Sequence, residues 1–117
     1  MIVDKKNTRA YSGKQESIVA KQLGGKKVAN SGATPFQKGD VRTDIMLIEC
    51  KTSTEEKKSF SIKREWLTKL REEAFSMGKR FYALAFNYGG FGNTENYYII
   101  DSNTMRQLQE YLRSLEE

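Results

Sequence analysis

Residues 39–51 read Gly39-Asp40-Val41-Arg42-Thr43-Asp44-Ile45-Met46-Leu47-Ile48-Glu49-Cys50-Lys51. Asp40-Val41 and Ile45 to Cys50 have the pattern of two strands joined by a tight turn near Arg42 to Asp44. Side chains alternate along a strand, so Ile45, Leu47, Glu49 and Lys51 share one face, and Met46, Ile48 and Cys50 share the other. Asp40 opens the first strand and Glu49 closes the second. A hairpin turning midway brings the two carboxylates face to face. An apolar strand that ends in a carboxylate and an ammonium on one face calls for a reason beyond solubility.

Working outward, the elements run helix, strands, helix, strands, helix. Ser12 and Gln15 have capping-box spacing, which predicts a first helix from about Gly13 to Leu23 with Ile18, Val19 and Leu23 as its stripe and Gly24-Gly25 as its stop. Lys26 to Asn30 is a short strand candidate. Ser31 to Gly39 holds two glycines and the sole proline, and reads as a loop. Beyond the hairpin, Thr52 to Ser59 is a charged loop. Ile62 to Met77 is an amphipathic helix with Trp66, Leu67, Leu70, Ala74 and Met77 on one side, stopped by Gly78. Arg80 to Asn87 and Asn96 to Asp101 are strands flanking a glycine-rich loop. Thr104 is placed to cap a last helix with the stripe Met105, Leu108, Leu112 and Leu115. No repeat or linker divides the 117 residues. The expectation is one α/β domain over 1–117, a central mixed sheet with helices on both faces, and residues 1–10 as a basic N-terminal arm.

Composition narrows the chemistry. There is no histidine and only one cysteine, Cys50. An intrachain disulfide, a Cys/His zinc site and His-dependent nucleophile systems are therefore excluded within one chain. A general base must be Asp, Glu, Lys, Tyr or metal-bound water, and a metal site must be oxygen-rich, which favours Mg2+ with Mn2+ as a substitute. Twenty Lys and Arg against fifteen Asp and Glu leave a net charge of +5, which suits a polyanionic partner somewhat better than plain solubility. No apolar run is long enough for a membrane span, and the polar start lacks the apolar stretch of a secretory signal, so a cytoplasmic location is expected.

Paired carboxylates on adjacent strands can hold a divalent cation, which activates water and neutralises charge on a phosphodiester. Lys51 points the same way and can orient the attacking water, and the Cys50 backbone carbonyl is a further ligand. Gly39-Asp40 followed one strand later by Glu49-Cys50-Lys51 resembles the PD-(D/E)XK nuclease signature, with Gly39 where that signature usually has proline. Gly13-Lys14-Gln15-Glu16, Asn30-Ser31-Gly32 and Gly39-Asp40 together resemble Holliday junction resolvases of the archaeal and bacteriophage types. The resemblance covers about the first half of the chain. It implies a restriction-endonuclease-like core, magnesium-dependent cleavage of branched double-stranded DNA, and a homodimer that cuts opposing strands. It also implies Glu16 and Ser31 as accessory members of the site, with Glu16 reaching the metal from the helix. Glu16 shares a helical face with Ala20 and Leu23, at the edge of the buried stripe.

Blander readings compete at several positions. Glu16 alone reads as a surface charge and Ser31 as a turn residue. The second E-x-K, Glu55-Glu56-Lys57, has no strand before it and reads as solvated loop. Asp44 is an odd number of residues from Glu49 and reads as a turn residue. Cys50 reads as a core thiol and Trp66 as core. Tyr88 and Phe91 either touch bases or cover the edge of the core. Lys5, Lys6, Arg9, Lys14, Lys38, Arg42, Lys57 and Lys58 are candidate phosphate contacts, with ordinary surface charge as the alternative.

Overall fold

The computed structural model describes residues 5–28, 40–90 and 92–117, with the side chains of the first helix described from Gly13 onward. The element order is α1 (Lys5–Leu23), β1 (Lys26–Lys27), β2 (Asp40–Arg42), β3 (Met46–Lys51), α2 (Arg64–Ser76), β4 (Phe81–Phe86), β5 (Tyr97–Ile99) and α3 (Ser102–Ser114). The strands form one mixed sheet in the order β1-β2-β3-β4-β5. Only β3 and β4 run parallel, and α2 is the crossover between them. The α/β expectation holds: the described residues make one α/β unit of five strands and three helices.

β3 is the central strand, which explains its continuous apolar run. Leu47 and Ile48 are fully buried on opposite faces. Ile48 and Cys50 pack with Val19 of α1, Val41, Ala83 and Ala85. On this face α1 lies chiefly against β1, β2 and β3. On the other face Leu47 and Leu84 pack with Leu70 and Ala74 of α2, edged by Trp66, Leu67, Tyr82 and Phe86. Each fully buried Leu or Ile contributes roughly 1.5–3 kcal/mol. Helices thus cover both sheet faces, α1 on one and α2 on the other.

Helix limits and caps differ from the sequence reading, and α2 runs Arg64–Ser76 against the expected Ile62 to Met77. α1 starts at Lys5 and not near Gly13, so residues 5–10 of the basic arm are helical. Gln15 is not a capping residue. It is 3% exposed and its side chain turns inward to the sheet. α3 is capped by Asp101, whose Oδ1 accepts from the Thr104 amide at 2.8 Å, while Thr104 itself is buried. The α3 stripe exists as spaced but faces outward: Met105, Leu108, Leu112 and Leu115 are all exposed.

Two glycines serve different ends. Gly78 (φ +73°) closes α2 in a Schellman motif, with Gly78 N–H donating to Phe75 O and Lys79 N–H to Ala74 O. Gly89 (φ +84°) sits where the loop after β4 presses on the loop after β3. A Cβ there would lie 2.4 Å from Glu55 O and 2.7 Å from Ser53 O, whereas one at Gly78 meets nothing within 4 Å. Urea unfolding should therefore show Gly78→Ala losing about 1 kcal/mol and Gly89→Ala about 3 kcal/mol or more. Equal losses would mean that the contact between the two loops does not constrain the backbone.

Candidate active site

The hairpin fixes the two central carboxylates. Asp40 is the register partner of Glu49, Val41 of Ile48, and Arg42 of Leu47. Val41 and Ile48 bury on the α1 face, so Asp40 and Glu49 both face α2, as does Lys51. The turn is held by Thr43, whose amide donates to Met46 O and whose Oγ1 accepts from the Met46 amide at 3.0 Å. Asp44 is an exposed turn residue, as its spacing predicts.

Lys51 Nζ lies 3.5 Å from Glu49 Oε1 and 4.3 Å from the centre of the Trp66 ring. These two side chains are only 11% and 16% exposed. An ammonium held between a carboxylate and an indole face is fixed in place and attracted by both. Trp66 is half-buried at the edge of the core, and its ring lies under the Lys51 ammonium.

Main-chain directions matter as well. Ile45 O accepts from Phe81 N and Lys51 O from Asn87 N, so the odd-numbered carbonyls of β3 turn toward β4. The even ones alternate away, as Met46 O does in accepting from Thr43 N. Cys50 O therefore turns to the β2 side, the side of Asp40. Its thiol is buried on the α1 face, and burial, then the charges of Glu16, Asp40 and Glu49, push it up to about 12. Cys50 is an inert core thiol.

Asp40 carries the largest carboxyl perturbation. Burial, then the negative charges of Glu49, Glu73 and Glu16, raise it to about 7, with Lys51 opposing. Glu73 of α2 and Glu16 of α1 are raised too, each first by burial. Glu73 was missed in the sequence because it reads as one of several charges on a solvated helix. Its signal was its place three residues after Leu70, beside the buried stripe.

Glu16 reaches this cluster only through its field. α1 packs on the face opposite Asp40, Glu49 and Lys51, and Lys27 of β1 is the cation that lowers Glu16. Among the described residues, no group of three or more His, Cys, Asp or Glu side chains is placed to hold a metal ion. The pair alone fits a hard divalent cation: its donors are all oxygen, and their mutual repulsion is what a cation relieves.

Gln15 was also missed, because capping-box spacing accounted for it. Its Nε2 donates to Lys51 O at 2.8 Å, to Asn96 Oδ1 at 3.1 Å and to Ala85 O at 3.4 Å. Asn87 Nδ2 donates to the same Asn96 oxygen, and Asn87 Oδ1 accepts from Thr52 Oγ1 and from Gly89 N. This network ties α1 to the ends of β3 and β4 beside Lys51. Among the described residues, Gln15 Oε1 has no hydrogen-bond partner.

Of the basic candidates, Lys14, Arg42, Lys57 and Lys58 are exposed, on α1, β2 and the loop after β3. Arg42 stands at the turn end of β2, away from Asp40. Lys5, Lys6 and Arg9 belong to α1, with side chains outside the described residues. Ser31, Lys38 and Phe91 lie outside them altogether. Glu55, Glu56 and Lys57 are exposed, in keeping with a solvated second E-x-K. Tyr88 packs edge-on against Phe86 and Tyr97, so it covers the sheet end. No family model matches the chain, and no curated protein or solved structure matches it either.

The raised Asp40 fixes a pH dependence. Between the ordinary carboxylate range and about 7, the folded chain keeps a proton that the unfolded chain has released, so stability falls as pH rises through that window. Metal-free protein should lose on the order of 2–4 kcal/mol more than Asp40→Asn between about pH 4 and pH 8, measured by chemical unfolding. Parallel pH profiles for the two proteins would place the Asp40 carboxyl in an ordinary environment.

Proposed function

We propose that the chain is a divalent-metal-dependent DNA endonuclease of the PD-(D/E)XK kind. The observation that carries this reading is the Asp40–Glu49 register pair with Lys51 on the same face, held 3.5 Å from Glu49. Two carboxylates crowded together while one is lifted toward neutrality are poised for a cation. Asp40, Glu49 and the Cys50 carbonyl would hold Mg2+ or Mn2+, which would supply a nucleophilic hydroxide and neutralise phosphate charge.

The chain's own groups do the rest. Asp40 must give up its proton to bind, and its neighbours Glu49, Glu73 and Glu16 make the anion costly without a cation. Lys51 presents donors beside Glu49, where it can orient water and face a phosphate oxygen. Trp66 keeps the ammonium from swinging away. Exposed Lys14, Lys57 and Lys58 can meet the DNA backbone without reading sequence, which suits recognition of shape. The resemblance of residues 13–16, 30–32 and 39–51 to junction resolvases supports four-way DNA junctions as substrate, a homodimer as the active form, and Glu16 and Ser31 as helpers.

A second reading is a DNA-binding module of the same fold that does not cut. Among the described residues, Glu73 and Glu16 act on Asp40 through their charge but do not join the pair in a group placed to hold a metal ion, which favours it. Labelled four-way junction, flap, duplex and single-stranded DNA separate the two. Paired nicks in the junction with Mg2+, reduced at least about 1,000-fold in Glu49→Ala or Lys51→Ala with junction binding kept, are expected for the nuclease. Tight junction binding without cleavage under either metal would leave only the binding module.

A further inference from the structure

α3 is the least supported part of the described fold. Thr104 in its first turn is buried and Gln107 is half-buried, but every residue from 108 to 117 is exposed. Met105, Leu108, Tyr111, Leu112 and Leu115 are 43–63% exposed. A helix of this length without packing is marginal in water. A continuous apolar stripe on it is a surface awaiting a partner.

The spacing of that stripe says which partner. Met105, Leu108, Leu112 and Leu115 follow each other at three, four and three residues, the a/d repeat of a helix-pairing seam. The order is also a palindrome about residue 110. Turned end over end, the helix sets Met105 opposite Leu115 and Leu108 opposite Leu112, so the stripe complements itself under a two-fold axis. The charges agree with this arrangement. Glu116 and Glu117 fall beside the N-terminal turn of the opposite α3, where the helix dipole favours anions. Arg106 and Arg113 face Ser114 and Gln107, not each other. Glu110, at the centre, lies on the side away from the seam and is bridged to Arg106 at 3.1 Å.

We propose that α3 pairs antiparallel with α3 of a second copy of this chain, through Met105, Leu108, Leu112 and Leu115. The paired helices are about 20 Å long. They bury on the order of 1,000 Å2 in total, at the low end for a specific interface, so association should depend on concentration. The pairing names a surface for the second copy that the nuclease reading invokes, but association alone judges it. A monomer would overturn the pairing and leave cleavage by Asp40 and Glu49 to its own assay.

The test is sedimentation velocity over a concentration series of the full chain, with Leu108→Glu/Leu112→Glu beside it and circular dichroism to check the fold. Both leucines are exposed in the single chain, so the double variant should stay folded. A dimer in the wild type, weakened more than about tenfold in the variant, is expected. Direction is read by disulfide formation in Met105→Cys and Leu115→Cys, alone and mixed; the native Cys50 is buried. A covalent dimer only in the mixture supports the antiparallel register. Cross-linking within either variant alone would overturn it, as would a monomer at every concentration or a dimer indifferent to the glutamates.

Discussion

The pairing of β2 with β3 sets the position of everything that can do chemistry. Side chains change faces at every step along a strand, so a slip of one residue would send Asp40 to the α1 side and Val41 into the acidic cluster. Val41 and Ile48, both fully buried against α1, make that slip costly. The register therefore sets two carboxylates side by side, and repulsion between them is a fixed consequence of apolar packing one residue away. Lys51 answers part of it from two residues on, and Trp66 answers for Lys51. The acidic pair, the ammonium and the indole form a chain of dependence that begins with two aliphatic side chains.

Much of this was legible in the sequence because it is local. The distance from Asp40 to Glu49 with a turn between them yields the pairing, and alternation along Met46–Lys51 yields the faces. The α2 stripe from Trp66 to Ala74 and its glycine stop are equally local, though Met77, read as part of that stripe, is an exposed cap residue. What was hidden depends on partners far away along the chain. Gln15 shares capping-box spacing with Ser12, but Lys51 O and Asn96 draw its side chain inward, and α1 begins eight residues earlier than Gly13. Thr104 and Asp101 are both good capping residues, and only the packing of Thr104 decides between them. The α3 periodicity shows which residues share a face, yet it does not say whether that face meets the sheet or solvent. Glu73 looked like any helix-surface acid, because its closeness to Asp40 comes from the crossover of α2.

The polar network at the ends of β3 and β4 plays a quieter part. Strand ends expose carbonyls, and here Gln15 reaches from α1 to satisfy Lys51 O and Ala85 O at once. Asn87 then holds Thr52 and Gly89, so both loops leaving the sheet are anchored beside the acidic cluster. The close seat of Gly89 on Ser53 and Glu55 extends that anchorage. A site on a strand end is as rigid as the loops that follow it, and these contacts make those loops part of the scaffold.

The mixed character of the sheet also bears on how the molecule comes into being. Asp40 and Glu49 meet through a hairpin, a contact between near neighbours that forms on the microsecond scale. Met46 meets Phe81 only after α2 has formed and crossed over, and parallel pairings over such separations close slowly. The carboxylate pair can therefore form in a nascent chain before Trp66 and Glu73 of α2 close over it. Until then the two acids are in water, where their repulsion is screened and costs little. The tension at Asp40 thus belongs to the packed molecule, imposed when burial removes the solvent and Glu73 of α2 comes near.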